Sequence, residues 1–398
     1  MRGLEAGARQ VLDTYLLPDS RRPLAVGLSG GGDSLALTLI ADAWAREAER
    51  DLAILTVDHG LQAASAAWTQ ACADVAARLN RPFRALPWTG EKPTAGLPAA
   101  ARLARHRLLA DAAREAGARV IVLGHTADDL AEAAVMRAAG ATTPDPRAWA
   151  PSPVWPQGRG IFLLRPLLWA TRADLRAWLS ARGETWIDDP ANADLRYARS
   201  RARLAEPGAP APPTVQAPLA LARFATEHAG IITLERARLQ AASPDEARRF
   251  VALAAVCAGG GERLPATART ARVAEALLGP GPFTATLAGA RIVAEEGAAR
   301  LFREPGEAAR AGLAPLRPPG VFDGRFEIAT GAEVRRLSGL MGRLSPADRD
   351  RLRQVPAAAR GALPAVVEAD GSVRLAPLES LVGERLRAAA GLVQREPA

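Results

Sequence analysis

Ser29-Gly30-Gly31-Gly32-Asp33-Ser34, near the start of a 398-residue chain, limits the possible folds more than any other stretch. An apolar run, Leu24-Ala25-Val26-Gly27-Leu28, precedes it and reads as a buried strand. Residues 35–44 follow it with the length and composition of a helix. Glycine has no Cβ, so such a turn can fold tightly and let an anion approach its N–H groups. The helix N-terminus behind it adds unpaired donors and the positive end of a dipole. Ser29 and Ser34 can donate hydroxyl hydrogen bonds, and Asp33 can orient a metal ion or a donor. The feature reads as a phosphate cradle.

Other glycine turns fit less well. A Walker A loop ends in Gly-Lys-Ser/Thr, whereas Asp33 stands in the lysine position and the only lysine is Lys92. Gly27, Gly30, Gly31 and Gly32 miss the G-x-G-x-x-G spacing of a dinucleotide site. Gly27-Leu28-Ser29-Gly30-Gly31 satisfies the G-x-S-x-G elbow of serine hydrolases, but too little chain precedes Ser29 to supply the oxyanion loop of that fold. A plain glycine turn is the bland alternative. The remaining reading is the S-G-G-x-D-S loop, which resembles that of the N-type ATP pyrophosphatases (PP-loop enzymes). These activate a substrate oxygen by adenylation and release pyrophosphate.

The chain carries 51 Lys+Arg against 43 Asp+Glu, a net charge of +8 that is almost entirely arginine. Arginine suits phosphate through its planar, two-pronged donor set, so the balance favours nucleic acid as a partner; a compositional bias toward alanine and arginine is the alternative. Two cysteines, Cys72 and Cys257, with no C-x-x-C, exclude a zinc ribbon or a cysteine-held iron–sulfur site and fit a reducing cytosol. No charged-then-apolar leader and no apolar run near 18 residues is present, which argues for a cytoplasmic protein without a membrane partner.

Residues 1–205 alternate strand-like and helix-like stretches, predicting an α/β fold with a parallel, Rossmann-like sheet. Strands are expected at 24–28, 52–57, 84–88, 119–124 and 162–164. Helices are expected at 35–44, 63–79, 96–116, 127–139 and 171–182. Residues 140–160 read as a loop, and the proline-rich stretch 207–213 as a stiff linker. Residues 217–280 read as helical, and 284–303 as short strands. A second proline break at 315–319 introduces a small unit with a hairpin around Asp370-Gly371. The expected order is therefore an α/β domain (1–205), a mostly helical domain (206–314) and a small α+β domain (315–398).

Ligands of open parallel sheets sit at the carboxyl ends of strands. After the second strand come Asp58-His59-Gly60, and after the later one Gly124-His125-Thr126-Ala127-Asp128-Asp129. Each has a bland reading: an ordinary turn, a helix cap at His125, or first-turn acids favoured by the helix dipole. His125 and Asp129, four apart, are expected on one first-turn face. Three polar tips on one edge are hard to reach by accident.

With these motifs in order, the chain resembles the tRNA(Ile)-lysidine synthetases. Their S-G-G-x-D-S falls at residues 29–34, V-D-H-G-L-R at 57–62, A-R-x-x-R-Y at 101–106, G-H-x-A-D-D-Q-A-E-T at 124–133 and R-P-L-L at 165–168. A last block, Trp186-Ile187-Asp188-Asp189-Pro190-Ala191-Asn192 running to Arg203, resembles their E-D-P-x-N…R-N-x-I-R. Departures include Gln62 for arginine, His106 for tyrosine, and Leu130 and Ala133 for glutamine and threonine.

The resemblance implies an ATP-dependent ligase acting in two steps. The wobble cytidine's C2 oxygen attacks the α-phosphate of ATP and releases pyrophosphate; the ε-amine of free lysine then displaces AMP. It implies ATP held by Ser29, Gly30, Gly31, Gly32, Asp33 and Ser34, with Asp58 and His59 alongside, and Mg2+ on Asp33. Asp129, with Asp128, would bind the lysine ammonium or take its proton, and Arg105 and His125 would face the α-phosphate or the base. Arg196, Arg199 and Arg203 share a helical face and would follow the tRNA(Ile) backbone, as would the C-terminal arginines at 335, 336, 343, 349, 351 and 353. The two later domains would hold tRNA, and the family is often a homodimer. Rival readings are a PP-loop tRNA thiolase, an amidating ligase using ammonia, and a non-catalytic tRNA-binding protein with a relic nucleotide fold.

Overall fold

A computed structural model of the chain describes residues 2–140, 146–153, 160–189, 198–204, 217–310 and 312–398. It groups them into two compact units. The first holds the chain up to the 205–216 stretch together with Val393–Ala398, and the second runs over Ala217–Leu392.

The first unit is built on a six-stranded sheet in the order β3-β2-β1-β4-β6-β5. Its strands are β1 (Leu24–Gly27), β2 (Leu52–Asp58), β3 (Phe83–Pro87), β4 (Val120–Leu123), β5 (Trp149–Pro151) and β6 (Phe162–Leu164). All pair in parallel except β5, which runs antiparallel along β6. Leu24, Ala25, Val26, Val120, Ile121 and Val122 are fully buried. Strands covered on both faces need such continuous apolar runs, which is why they were legible as strands.

Helices α1 (Arg2–Tyr15), α2 (Gly32–Glu47), α3 (Ser65–Arg78), α4 (Leu97–Glu115), α5 (Ala127–Ala138), α6 (Arg172–Ser180) and α7 (Ala198–Leu204) complete the unit. On one face Leu35, Leu37, Ile40 and Trp44 of α2 pack with Leu4, Leu12 and Leu16 of the α1 segment and with Leu175, Trp178 and Leu179 of α6. Leu109, Ala110 and Ala113 of α4 form a second core with Ala25, Leu55, Ile121 and Leu163. Each fully buried leucine contributes roughly 1.5–3 kcal/mol.

The strand order fixes where a ligand can sit. From β1 the chain steps outward through β2 and β3, then crosses to the other side of β1 to lay down β4. The reversal opens a crevice at the carboxyl ends of β1 and β4. The glycine loop leaves β1 at that point, and Gly124-His125 leave β4 beside it.

Val393–Ala398 belong to this unit although they lie at the other end of the sequence. The Trp149 ring stacks between Tyr15 and Phe162, with centroids 5.6 and 4.9 Å away, and its Nε1 donates to the Val393 carbonyl at 2.8 Å. The Glu396 carboxylate is fully buried and pairs with the equally buried Arg50, Nη1 to Oε2 at 2.9 Å. It also accepts from the Leu17 N–H at 3.0 Å and from Ser20 Oγ at 3.3 Å.

The second unit contains a five-stranded antiparallel sheet in the order β7-β8-β11-β10-β9. Its strands are β7 (Thr226–His228), β8 (Ile231–Glu235), β9 (Phe283–Leu287), β10 (Ala290–Ala294) and β11 (Ala298–Arg303). Helices α8 (Arg236–Ala241), α9 (Pro244–Ala258) and α10 (Thr267–Leu278) accompany it. The stretch 217–280 thus holds the expected helices and, in addition, the hairpin β7–β8. Smaller sheets follow: β12 (Gly320–Phe322) with β13 (Phe326–Ile328), and β14 (Glu333–Arg336) with β15 (Pro364–Val367) and β16 (Val373–Leu375). The Asp370-Gly371 turn joins β15 to β16, with Gly371 at φ +82°. The proline stretch 207–213 lies outside the described residues.

Candidate active site

The glycine loop between β1 and α2 is held in shape by its own serines. Gly30 has φ +84°, a region that L side chains rarely adopt, and a Cβ there would lie 2.4 Å from Ile187 Cδ1. Gly31 is the extended residue before α2, so Gly32, Asp33 and Ser34 form the first turn. Ser34 Oγ donates to the Gly31 carbonyl at 2.9 Å and accepts from the Ser29 N–H at 3.1 Å; Ser29 Oγ lies 3.0 Å from it. The Ile187 N–H donates to the Gly30 carbonyl at 3.0 Å, and the Trp186 ring lies beside Gly32. Trp186 and Ile187, at the start of the last sequence block, therefore lie over the loop. Gln62, which replaces an arginine of the family pattern, donates to Asp189 in that block at 3.1 Å.

On the other side of the crevice, a Cβ on Gly124 would lie 2.8 Å from the Asp33 carbonyl oxygen. That close approach brings the start of α5 to the start of α2. Asp129 Oδ2 accepts from the Thr126 N–H at 2.7 Å and closes the N-terminus of α5. Its other oxygen accepts from Arg172 Nη2 at 2.8 Å. The same guanidinium donates from Nη1 to Glu132 Oε1 at 2.6 Å and from Nε to Asp33 Oδ2 at 3.2 Å. The Arg172 N–H donates to Asp128 Oδ2 at 2.8 Å, and Arg203 Nε reaches Glu132 Oε1 at 2.7 Å. Four carboxylates thus converge on one arginine beside the cradle.

Charge states follow from this packing. Burial works against the Arg172 charge, but Glu132, Asp129 and Asp33 outweigh it and hold its pKa above the ordinary arginine range. Burial pushes the Asp33 carboxyl above its usual value; Arg172 pulls it back down, while Asp129 and Asp128 add to the rise.

A basic set lies on α4 and the ends of β4 and β6. Arg165, buried, donates from Nε to His125 Nδ1 at 3.2 Å and from Nη1 to the Arg147 carbonyl at 2.8 Å. Burial, with Arg102 and Arg105 nearby, pushes its pKa down to about 10. His106 is buried with neither ring nitrogen hydrogen-bonded, and burial together with Arg105, Arg102 and Arg165 pushes it down to about 2. At the end of β2, Asp58 Oδ1 accepts from the Gly60 N–H at 2.8 Å. His59 sits edge-on to Trp88, and its pKa is lowered by burial and by Arg105.

The structure gathers Ser29, the three glycines, Asp33, Ser34, Asp128 and Asp129 at one crevice. His125 does not share a face with Asp129: it precedes the helix, and its ring turns to Arg165 while Asp129 turns to Thr126 and Arg172. Arg203 reaches inward to Glu132. Arg196 and the side chain of Arg199 lie outside the described residues. Sequence reasoning gave Glu132, Arg165 and Arg172 no role. Glu132 carried a signal, since it lies three residues after Asp129 and shares its helix face. Arg172 carried another: a cation in the first turn of a helix opposes the dipole and needs acids nearby.

The described part of the chain contains no helix long and apolar enough to cross a membrane. The PP-loop domain family matches residues 4–205. A tRNA(Ile)-lysidine synthase of Caulobacter vibrioides is 48% identical over 98% of this chain and 98% of its own length. One from Rhizobium meliloti is 34% identical over 85% of this chain and 79% of its own. Among solved structures, the U34-tRNA thiolase NcsA from Methanococcus maripaludis aligns at a TM-score of 0.43 and 16% identity, over 51% of this chain and 70% of that one. A likeness that weak carries none of its chemistry across. With the domain family matched over residues 4–205 and relatives 48% and 34% identical over most of their length, the chain belongs to the tRNA(Ile)-lysidine synthase family of PP-loop proteins.

Proposed function

We propose that the protein joins free lysine to C2 of the wobble cytidine of a tRNA(Ile), consuming ATP and releasing AMP and pyrophosphate through an adenylated cytidine. One observation carries this reading: an anion cradle and a nest of carboxylates share one crevice. A polyphosphate and an amine, of opposite charge, each find a complementary wall. Arg172 already lies in the nest, so the carboxylates are placed to receive an alkyl-borne cation next to the cradle.

The chain's own groups divide the work. Backbone N–H groups of residues 30–32 and the hydroxyls of Ser29 and Ser34 hold the departing pyrophosphate, and Asp58 and His59 flank the nucleotide. Reactions at phosphorus depend mostly on positioning and charge stabilisation. Asp33 fits a Mg2+ ligand, because that ion takes one or two carboxylates plus phosphate oxygens rather than a protein cage. When bound, the ion would neutralise charge on the leaving group. Asp129, with Asp128 and Glu132, binds the lysine ammonium, whose ordinary pKa near 10.4 means a proton must leave before the amine attacks. Arg105 and His125 face the α-phosphate. Residues 206–314 and 315–398 serve as tRNA-holding domains, with Arg196, Arg199, Arg203 and the arginines near 335–353 along the backbone. We place the protein in the cytoplasm, as a homodimer that sedimentation would verify.

The test is mass analysis of tRNA(Ile) after incubation with ATP and labelled lysine. The expected product carries one lysine, less water, on the wobble cytidine, and Asp33→Ala or Asp129→Ala abolishes it. Unmodified tRNA, with no tRNA-dependent ATP–pyrophosphate exchange, would favour the non-catalytic reading. A thiolase reading asks for reactive thiols, whereas burial raises the Cys72 thiol and pushes Cys257 up to about 11.

A further inference from the structure

Arg165 is unlike the other arginines of the site. Among the described residues no carboxylate hydrogen-bonds it, though it is only 6% exposed. A buried guanidinium whose hydrogen bonds go to uncharged acceptors is expensive, even with the Asp129 carboxylate near enough to favour its charge, so its placement calls for an explanation. Its backbone N–H donates to the Ala148 carbonyl and Nη1 to the Arg147 carbonyl, both at 2.8 Å. Those two bonds fix its direction. The direction brings Nε to 3.2 Å from His125 Nδ1.

A guanidinium has donors only. The atom it meets must therefore be an acceptor, and an imidazole nitrogen accepts only when it carries no proton. A second proton on the ring would set N–H against N–H and place two positive charges side by side. Turning the ring over would face Nε with a C–H and lose the bond.

We propose that Arg165 is a positioning residue that keeps His125 neutral, with its single proton on Nε2. In the reaction read above, on which this inference rests, His125 then presents a hydrogen-bond donor to a phosphate oxygen and is not the base for the lysine amine. Deprotonation falls to the carboxylate nest. The costly burial of Arg165 is explained as the means of fixing one tautomer.

Long-range 1H–15N correlation spectra of the full chain labelled with 15N-histidine read the tautomer directly. Four histidines are present, and the loss of one signal set in His125→Gln assigns the ring. The expected result at pH 7 is a protonated Nε2 and an unprotonated Nδ1, with the Nδ1-protonated or doubly protonated form appearing in Arg165→Met. Kinetics supply a second arm, because a glutamine amide nitrogen overlays Nε2 whereas an asparagine amide overlays Nδ1. His125→Gln should keep kcat within roughly tenfold of the parent, and His125→Asn should lose on the order of a hundredfold, as when a single donor to a developing charge is removed. A parent ring protonated on Nδ1, or a glutamine variant as slow as the asparagine one, overturns the proposal. The spectra need no turnover, so they decide it even if lysidine formation itself is not observed.

Discussion

His106 shows how one side chain can make stability depend on pH. The ring is buried without a hydrogen-bond partner and close to Arg105, Arg102 and Arg165, and burial with those charges pushes its pKa down to about 2 from the ordinary 6.5. Below pH 6.5 the unfolded chain takes up a proton that the folded chain refuses, so stability falls as the solution is acidified. The loss should be about 2 kcal/mol between pH 7 and pH 5. Replacing the ring by an apolar group of similar size, His106→Leu, should remove that slope and leave stability at pH 7 unchanged or higher, because no hydrogen bond is lost. Urea titrations at the two pH values measure it; an unchanged slope would mean the imidazole finds a partner when folded. Arg172 makes the opposite case. Removing it in Arg172→Ala strands three acids around one point, so Asp33 should resist ionisation further and lysidine formation at neutral pH should fall by tenfold or more, by order of magnitude. Partial recovery as pH rises would identify that cause. The loop at 29–34 was legible because its meaning is local. Arg172 was not, because its partner Asp33 stands 139 positions away.

At the scale of elements, the turn from β1 to α2 works only with glycine. Gly30→Ala would force a left-handed backbone onto alanine and push its methyl against Ile187. A destabilisation of about 1–3 kcal/mol is expected, together with a smaller rise in melting temperature on adding ATP. An unaltered ATP response would show that the cradle does not need this conformation. The parallel strands were legible because doubly covered strands are short, continuous apolar runs. The hairpin β7–β8 was not, and the reason is chemical. Its two-residue turn is Ala229-Gly230, both at positive φ (53° and 78°), where Asn-Gly or Asp-Gly is the usual signal. An alanine in that position advertises helix. Ala288-Gly289 makes the same turn between β9 and β10, at φ 48° and 79°; there the flanking strands were long enough to be recognised.

For the molecule as a whole, charge and chain path matter most. If the arginine-rich segments hold tRNA, affinity should fall steeply with salt, with log K declining by nearly one power for each phosphate neutralised. Filter binding across a salt series tests this, and a flat response would exclude the backbone contacts. The Glu396–Arg50 pair predicts a separate dependence. Glu396→Gln leaves a buried guanidinium without its counter-charge and should cost about 3–5 kcal/mol, read from the unfolding transition of the first unit. Glu396→Leu combined with Arg50→Met should recover much of that loss. Nothing in Val393-Gln394-Arg395-Glu396 advertises a core segment, since a polar tail reads as solvated until its partners are known.

That returning tail also orders events during synthesis. The α/β layer is built mainly from residues 2–204, yet Arg50 stays without its buried counter-ion until residue 396 has emerged from the ribosome. Nascent chains halted short of residue 396 should therefore show an α/β layer that opens to protease, and synthesis past that residue should close it.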